Sequence, residues 1–169
     1  MIKPYLHWTP QIDTSAFIAE SADVIGRVKI GADSSIWYQS VLRGDVHDIE
    51  IGERSNIQDH CVVHTSGGVA PCIVGDDVTI GHRVILHGCE IQDRCLIGMG
   101  SIIMDHAVLE EGCFLAAGSL VTERKILRGG YLYAGSPSKE RRELSEEEKA
   151  FLTRSASHYV DVSKNHSKG

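Results

Sequence analysis

The chain has 169 residues, 17 Lys and Arg against 23 Asp and Glu, and a net charge of −6, which suits one domain and argues against nucleic acid as a partner, because phosphate contacts need a basic face. No uninterrupted apolar run reaches the roughly 18 residues that cross a bilayer, and Met1 to Pro10 lacks an export signal's apolar core, so a cytoplasmic protein with no membrane partner and five reduced cysteines is expected. Ile and Val number 31 against 11 Leu, with 17 Gly and 10 aromatics, so strands and turns are favoured and a helical bundle is disfavoured.

Taken in chain order, aliphatic residues recur every six positions from Ile12 through Ile18, Val24, Ile30, Ile36 and Leu42. The frame slips and resumes at Ile51, Ile57 and Val63, slips to Val74, Ile80 and Leu86, then runs from Ile91 through Ile97, Ile103, Leu109, Leu115 and Val121 to Leu127. Four positions after most of these nineteen starts stands a small side chain, such as Ser34, Ser40, Ser55, Cys61, Cys95, Ala107 or Cys113. A six-residue period fits no helix, but it suits short strands joined by corners, the aliphatic residue inside and the small one at the crowded corner. Three units close a triangular coil, and nineteen give about six coils stacked at roughly 4.8 Å with parallel pairing between coils. The fold class is therefore mainly β, a parallel β-helix over residues 1–137, with three extra residues near Val46 to Ile49 and five within Thr65 to Ile73. Residues 138–169 form a second region. Ser145 followed by Glu148 makes a capping box, so a helix is expected from Ser145 to about Val162 with Phe151, Ser155, His158, Tyr159 and Val162 on one face, then a frayed tail from Ser163 to Gly169.

Nine histidines are many for this length, and His64, His82 and His87 fall within 24 residues. Any one of them alone reads as a surface or packing residue. The register adds more: His64 follows Val63 and His87 follows Leu86, three units later, so the two imidazoles stack one coil apart at about 5 Å, close enough to share one ion. His82 follows Ile80 by two places and belongs to a different face. If it is a ligand, a neighbouring molecule must bring it to the other two, which a cyclic trimer does three times over. Three imidazoles leave a fourth position open, the pattern of a catalytic zinc, although iron and cobalt suit the same donors. The same register places Arg43, His64 and His87 in one column and stacks Asp59 on His82.

The stretches Arg43-Gly44-Asp45, Arg54-Ser55-Asn56-Ile57-Gln58-Asp59, Val63-His64 and Gly81-His82 through His87-Gly88 resemble the γ-class carbonic anhydrase family over roughly residues 10 to 140. The resemblance implies a left-handed hexapeptide-repeat β-helix that forms a homotrimer and hydrates carbon dioxide reversibly to bicarbonate through a metal-bound hydroxide. It implies His64 and His87 as ligands from one chain and His82 from the next. It also implies Gln58 as the residue that orients the nucleophile, Asn56 as its neighbour, and Arg43, Asp45 and Asp59 as a charged network; Tyr159 resembles a helical residue that approaches the site.

Two departures stand out. Where active relatives carry proton-shuttling glutamates, this chain has Val46 and a Thr65 to Cys72 loop without a carboxylate, so proton export needs another route, with His47 and His60 as titratable neighbours. Met99 and Met104 fall above the histidine columns and are expected to line an apolar wall. Cys61, Cys95 and Cys113 read as corner packing; Cys72 and Cys89 are open to redox chemistry. Two rival functions are a hexapeptide acyltransferase using acetyl-coenzyme A and an assembly or binding subunit in which a metal ties the trimer.

Overall fold

The computed structural model describes residues 1–168. Its strands are mostly two or three residues long and build a parallel β-solenoid with three faces. The aliphatic starts point inward: apart from Ile12 and Ile18 in the first, open coil, all of them are buried. One face carries seven parallel strands: Phe17–Ile18, Ser35–Ile36, Asn56–Ile57, Thr79–Ile80, Leu96–Ile97, Phe114–Leu115 and Tyr131–Ala134. The solenoid therefore has about seven turns rather than six. The last turn lies beyond the aliphatic pattern because its inward residue is Tyr133, stacked on Leu115 and 4% exposed.

The corners explain the small residues. Ser34, Ser40 and Ser55 each donate a hydroxyl hydrogen bond of 2.7 Å to a carbonyl one coil away, at Gly52, Gln58 and Gly75, and Cys61 points its thiol at the Gly81 carbonyl at 3.1 Å. A corner residue thus packs and also satisfies backbone that would otherwise be buried unpaired. The position before it, three after most starts, turns the chain through a left-handed φ, as at His60 (60°), Arg83 (60°) and His106 (58°), with glycine relieving the strain at Gly100 and Gly112.

The three-residue slip is absorbed by one bent strand, Val41–Ile51, paired along the similarly long Asp23–Ile30. The five-residue slip is a tight loop closed by a bridge between Ser66 and Ala70. After the seventh turn Lys139–Glu143 returns antiparallel on Tyr131–Ala134, a pairing that the six-residue period does not announce. The helix runs Glu146–His166 with the Ser145–Glu148 capping box in place, four residues beyond the expected end. Its packed side is also rotated from the expected one. Leu152, Ala156 and Ser163 are buried, with Ser155 and Tyr159 half-buried beside them, whereas Phe151 and His158 face solvent. Ser163 to His166 are ordered helix held by Lys164–Asp33 (3.1 Å) and by Tyr38 Oη to His166 Nδ1 (3.0 Å), so the frayed tail is corrected for them; Gly169 lies outside the described residues. Among the described residues no helix is long and apolar enough to cross a membrane.

Candidate metal centre

Following one coil, the chain leaves the helix-covered face at Asn56–Ile57, turns at Asp59 and His60, crosses a second face at Val62–His64, passes the loop and reaches the third face at Cys72–Val74. Histidines sit at both edges of the second face. At its far edge His64 and His87 are in register across adjacent coils, with ring centroids 5.3 Å apart. His64 Nε2 lies 3.0 Å from Asp45 Oδ1, and Arg43 pairs with the other oxygen of Asp45. His87 Nδ1 lies 2.5 Å from Asp105 Oδ1, whose second oxygen accepts the Ser66 hydroxyl.

Burial alone would raise both carboxyls, but the hydrogen bonds from His64 and Arg43 outweigh it at Asp45, and those from Ser66 and His87 outweigh it at Asp105, so both stay below the usual carboxylate range. Two ionised acceptors assign the ring protons to His64 Nε2 and His87 Nδ1. The remaining nitrogens, His64 Nδ1 and His87 Nε2, then present lone pairs to each other across 3.3 Å. Such a pair needs a shared proton or a cation between its members. Donors bound at about 2.0–2.1 Å around a four-coordinate ion lie roughly 3.3–3.4 Å apart, so this pair fits one edge of such a site. Beside it the Thr65 hydroxyl is buried without a hydrogen-bond partner.

At the near edge His82 occupies the corner after Thr79–Ile80, and its Nδ1 sits 2.8 Å from Asp59 Oδ2, which leaves Nε2 directed away from its carboxylate anchor. Gln58 and Asn56 are buried beneath the C-terminal helix on the same side: Gln58 Nε2 donates to Asn56 Oδ1 at 3.2 Å, and Asn56 Nδ2 donates to Thr79 Oγ1 at 3.1 Å. The Thr79 hydroxyl in turn meets Ser155 on the helix at 3.0 Å. Tyr159 packs edge-on against Trp37 at 5.5 Å, and burial together with the charge on Asp59 pushes its phenol up.

One chain thus brings the sequence-derived residues together as two half-sites. Arg43, Asp45, His64 and His87 form one, and Asn56, Gln58, Asp59, His82 and Tyr159 form the other. Among the described residues no three His, Cys, Asp or Glu side chains gather around one point. Between the half-sites runs an apolar ladder stacked by register, Val41, Val62, Ile85, Ile102 and Leu120, of which Val62, Ile85 and Ile102 are 38–40% exposed. Met99 and Met104 are also exposed, so neither lines a wall within a single chain. Val46 meets the loop tip, where a Cβ added to Gly67 would lie 3.5 Å from Val46 Cβ; the two positions that lack the expected carboxylates are neighbours in space. Cys72 and Cys89 face each other at 3.9 Å, both buried, and the contact with Cys72 together with burial raises the Cys89 thiol, which argues against the redox chemistry left open for them. Asp105 and Ser66 escaped the sequence reading.

Residues 88–123 match the family described as bacterial transferase hexapeptide, six repeats. Over 161 residues the chain is 51% identical to a carbonic anhydrase of Geobacillus kaustophilus, covering 95% of this chain and 88% of that one. It is 45% identical over 162 residues to the mitochondrial γ-carbonic anhydrase 1 of Arabidopsis thaliana, covering 93% of this chain but spanning only 59% of that relative's length. A solved Bacillus cereus structure with a provisional acetyltransferase name superposes with a TM-score of 0.95 at 45% identity, over 98% of this chain and 95% of that one. Seven parallel turns and relatives that match along nearly the whole chain lead to one assignment: the protein belongs to the γ-carbonic anhydrase family of hexapeptide-repeat proteins.

Proposed function

We propose that this protein is a metal-dependent carbonic anhydrase that interconverts carbon dioxide and bicarbonate at the interfaces of a homotrimer. The observation that carries the reading is the position of the half-sites, His64 with His87 at one edge of an exposed apolar face and His82 at the other. Three copies packed by this face around a common axis bury the Val62–Ile85–Ile102 ladder and bring each His82 to a neighbour's His64 and His87. Those three imidazoles would hold the ion, zinc first and iron or cobalt as alternatives. When bound, the ion supplies a water whose pKa is lowered towards ~7, the nucleophile needed at neutral pH.

The chain's own residues do the remaining work. Asp59 anchors His82 through Nδ1 and leaves Nε2 as the donor, while Asp45, itself held by Arg43, orients His64. Gln58 gives its amide N–H to Asn56, and its carbonyl oxygen is left to accept a proton-bearing nucleophile and aim it. The Asn56–Thr79–Ser155 chain of hydrogen bonds fixes Gln58 through the helix, so the helix acts as part of the site's floor. Tyr159, beside Asp59, stiffens the same floor. With no carboxylate at Val46 or in the loop, proton release falls to buffer.

Elemental analysis with oligomer mass, followed by stopped-flow hydration assays, tests this. A metal-bearing trimer that hydrates carbon dioxide supports it; a metal-bearing trimer with no turnover favours the assembly subunit. The acetyltransferase name of the Bacillus cereus relative motivates one control, coenzyme A binding, which the anhydrase reading expects to be absent.

A further inference from the structure

We propose that Asp105 is a positioning residue for His87, holding its ring with Nε2 free and tying that ring to the stem of the 65–70 loop through Ser66. Its consequence for metal binding rests on the function proposed above; its effect on His87 does not. Three observations carry it. The carboxylate is shared, one oxygen 2.5 Å from His87 Nδ1 and the other on the Ser66 hydroxyl. It is mostly shielded, with 22% side-chain exposure, so water competes weakly for its acceptor sites. Room for it is reserved by Gly88: φ there is +56°, and an added Cβ would stand 2.7 Å from Asp105 Oδ1. Any other residue at 88 would press on the group that orients its neighbour.

A free imidazole places its proton on either nitrogen at little cost. An ionised acceptor at Nδ1 removes that choice and turns Nε2 towards His64, the geometry that the 3.3 Å nitrogen pair requires. Asp45 does the same for His64 from the opposite side. The pair is thus clamped between two carboxylates, one from the bent strand two coils before His87's own and one from the coil after it. Ser66 adds a link to the loop: whatever displaces the loop stem also loosens Asp105, and through it His87.

The test uses the full chain. In metal-free protein, nitrogen NMR of the imidazole rings is expected to report His87 held with its proton on Nδ1, and Asp105→Ala is expected to release it into a mixture of tautomers. Zinc affinity, read by competition with a chelator, is expected to fall about 10- to 100-fold in Asp105→Ala, with Asp105→Asn, which keeps one acceptor oxygen, in between. Ser66→Ala should weaken zinc binding less, and should add nothing once Asp105 is Ala, because it acts through that carboxylate. Unchanged zinc affinity in Asp105→Ala would overturn the proposal. So would wild-type His87 carrying its proton on Nε2, a measurement that stands even if Asp105→Ala does not fold. A wild-type chain that binds no zinc at all would sink the anhydrase reading while leaving the tautomer result to decide the role of Asp105.

Discussion

Ile85→Asp separates the assembly from the fold. Ile85 points outward between Val62 and Ile102 while its neighbour Leu86 is fully buried, so the substitution leaves the solenoid core intact and costs the isolated chain no more than about 1 kcal/mol of strand preference. Burying a whole isoleucine is worth about 1.5–3 kcal/mol. The 38% still exposed in one chain is then worth about 0.6–1.1 kcal/mol, or about 2–3 kcal/mol over three subunits. Asp also brings three carboxylates to one axis, each costing several kcal/mol to desolvate. Together these exceed about 8 kcal/mol per trimer, more than five decades in association constant at ~1.4 kcal/mol per decade. Light scattering at micromolar concentration should therefore give a monomer, elemental analysis should show the metal gone, and circular dichroism should keep the parent's β spectrum, with melting lowered only by the assembly and metal that are lost. A trimer that persists with full metal would place the contact on another face and refute the reasoning.

Four further outcomes are expected. His82→Ala should remove metal and weaken the trimer together; full metal retention, measured by elemental analysis, would show that His82 is not the bridging ligand. Asp59→Asn should lower metal affinity about 10- to 100-fold in chelator competition, since Asp59 anchors His82 at 2.8 Å. Burial pushes the Cys61 and Cys95 thiols up to about 12, and raises Cys113 as well. A thiol whose folded value lies above the unfolded one stabilises the fold until the unfolded value and gives that up as pH climbs, so chemical denaturation should show stability draining between about pH 9 and 12. The triple Cys→Ala chain should flatten that loss, because Ala107 already fills the same corner slot. Hydration of carbon dioxide should be slow and buffer-limited, with imidazole buffers raising kcat and leaving kcat/KM nearly unchanged; a fast rate independent of buffer would reveal a proton relay, and His47, His60 and Tyr159 are the first positions to test for it.

The inward residues were legible because a solenoid repeats one environment. Once Ile57, Ile80 and Ile97 share a face, their neighbours stack, and so His64 over His87 and Asp59 over His82 could be placed by counting. Where the repeat changes chemistry, counting fails. Tyr133 does the work of an aliphatic start and hides the seventh turn, and Lys139–Glu143 pairs by an antiparallel return outside any period. The helix was legible at its start, where Ser145 and Glu148 cap it chemically, and not along its length, where Leu152 and Ala156 rather than Phe151 find the groove over Thr79 and Asn56.

Asp105 is the site residue that the repeat conceals. By register it stacks on Gly88, and a carboxylate over a glycine carries no signal in a pattern that looks for side chains meeting side chains. The missing Cβ is what lets the carboxylate lean one residue sideways to His87 and take Ser66 from a loop of irregular length. A small residue in a solenoid column is therefore evidence of two kinds: at a corner, as at Ser40 or Cys61, it yields space to backbone, and beside a functional side chain, as at Gly88, it yields space to a partner from the next coil. The second kind can be searched for in sequence by asking which residue the register sets over each glycine that follows a histidine. Applied to Gly88, that rule returns Asp105.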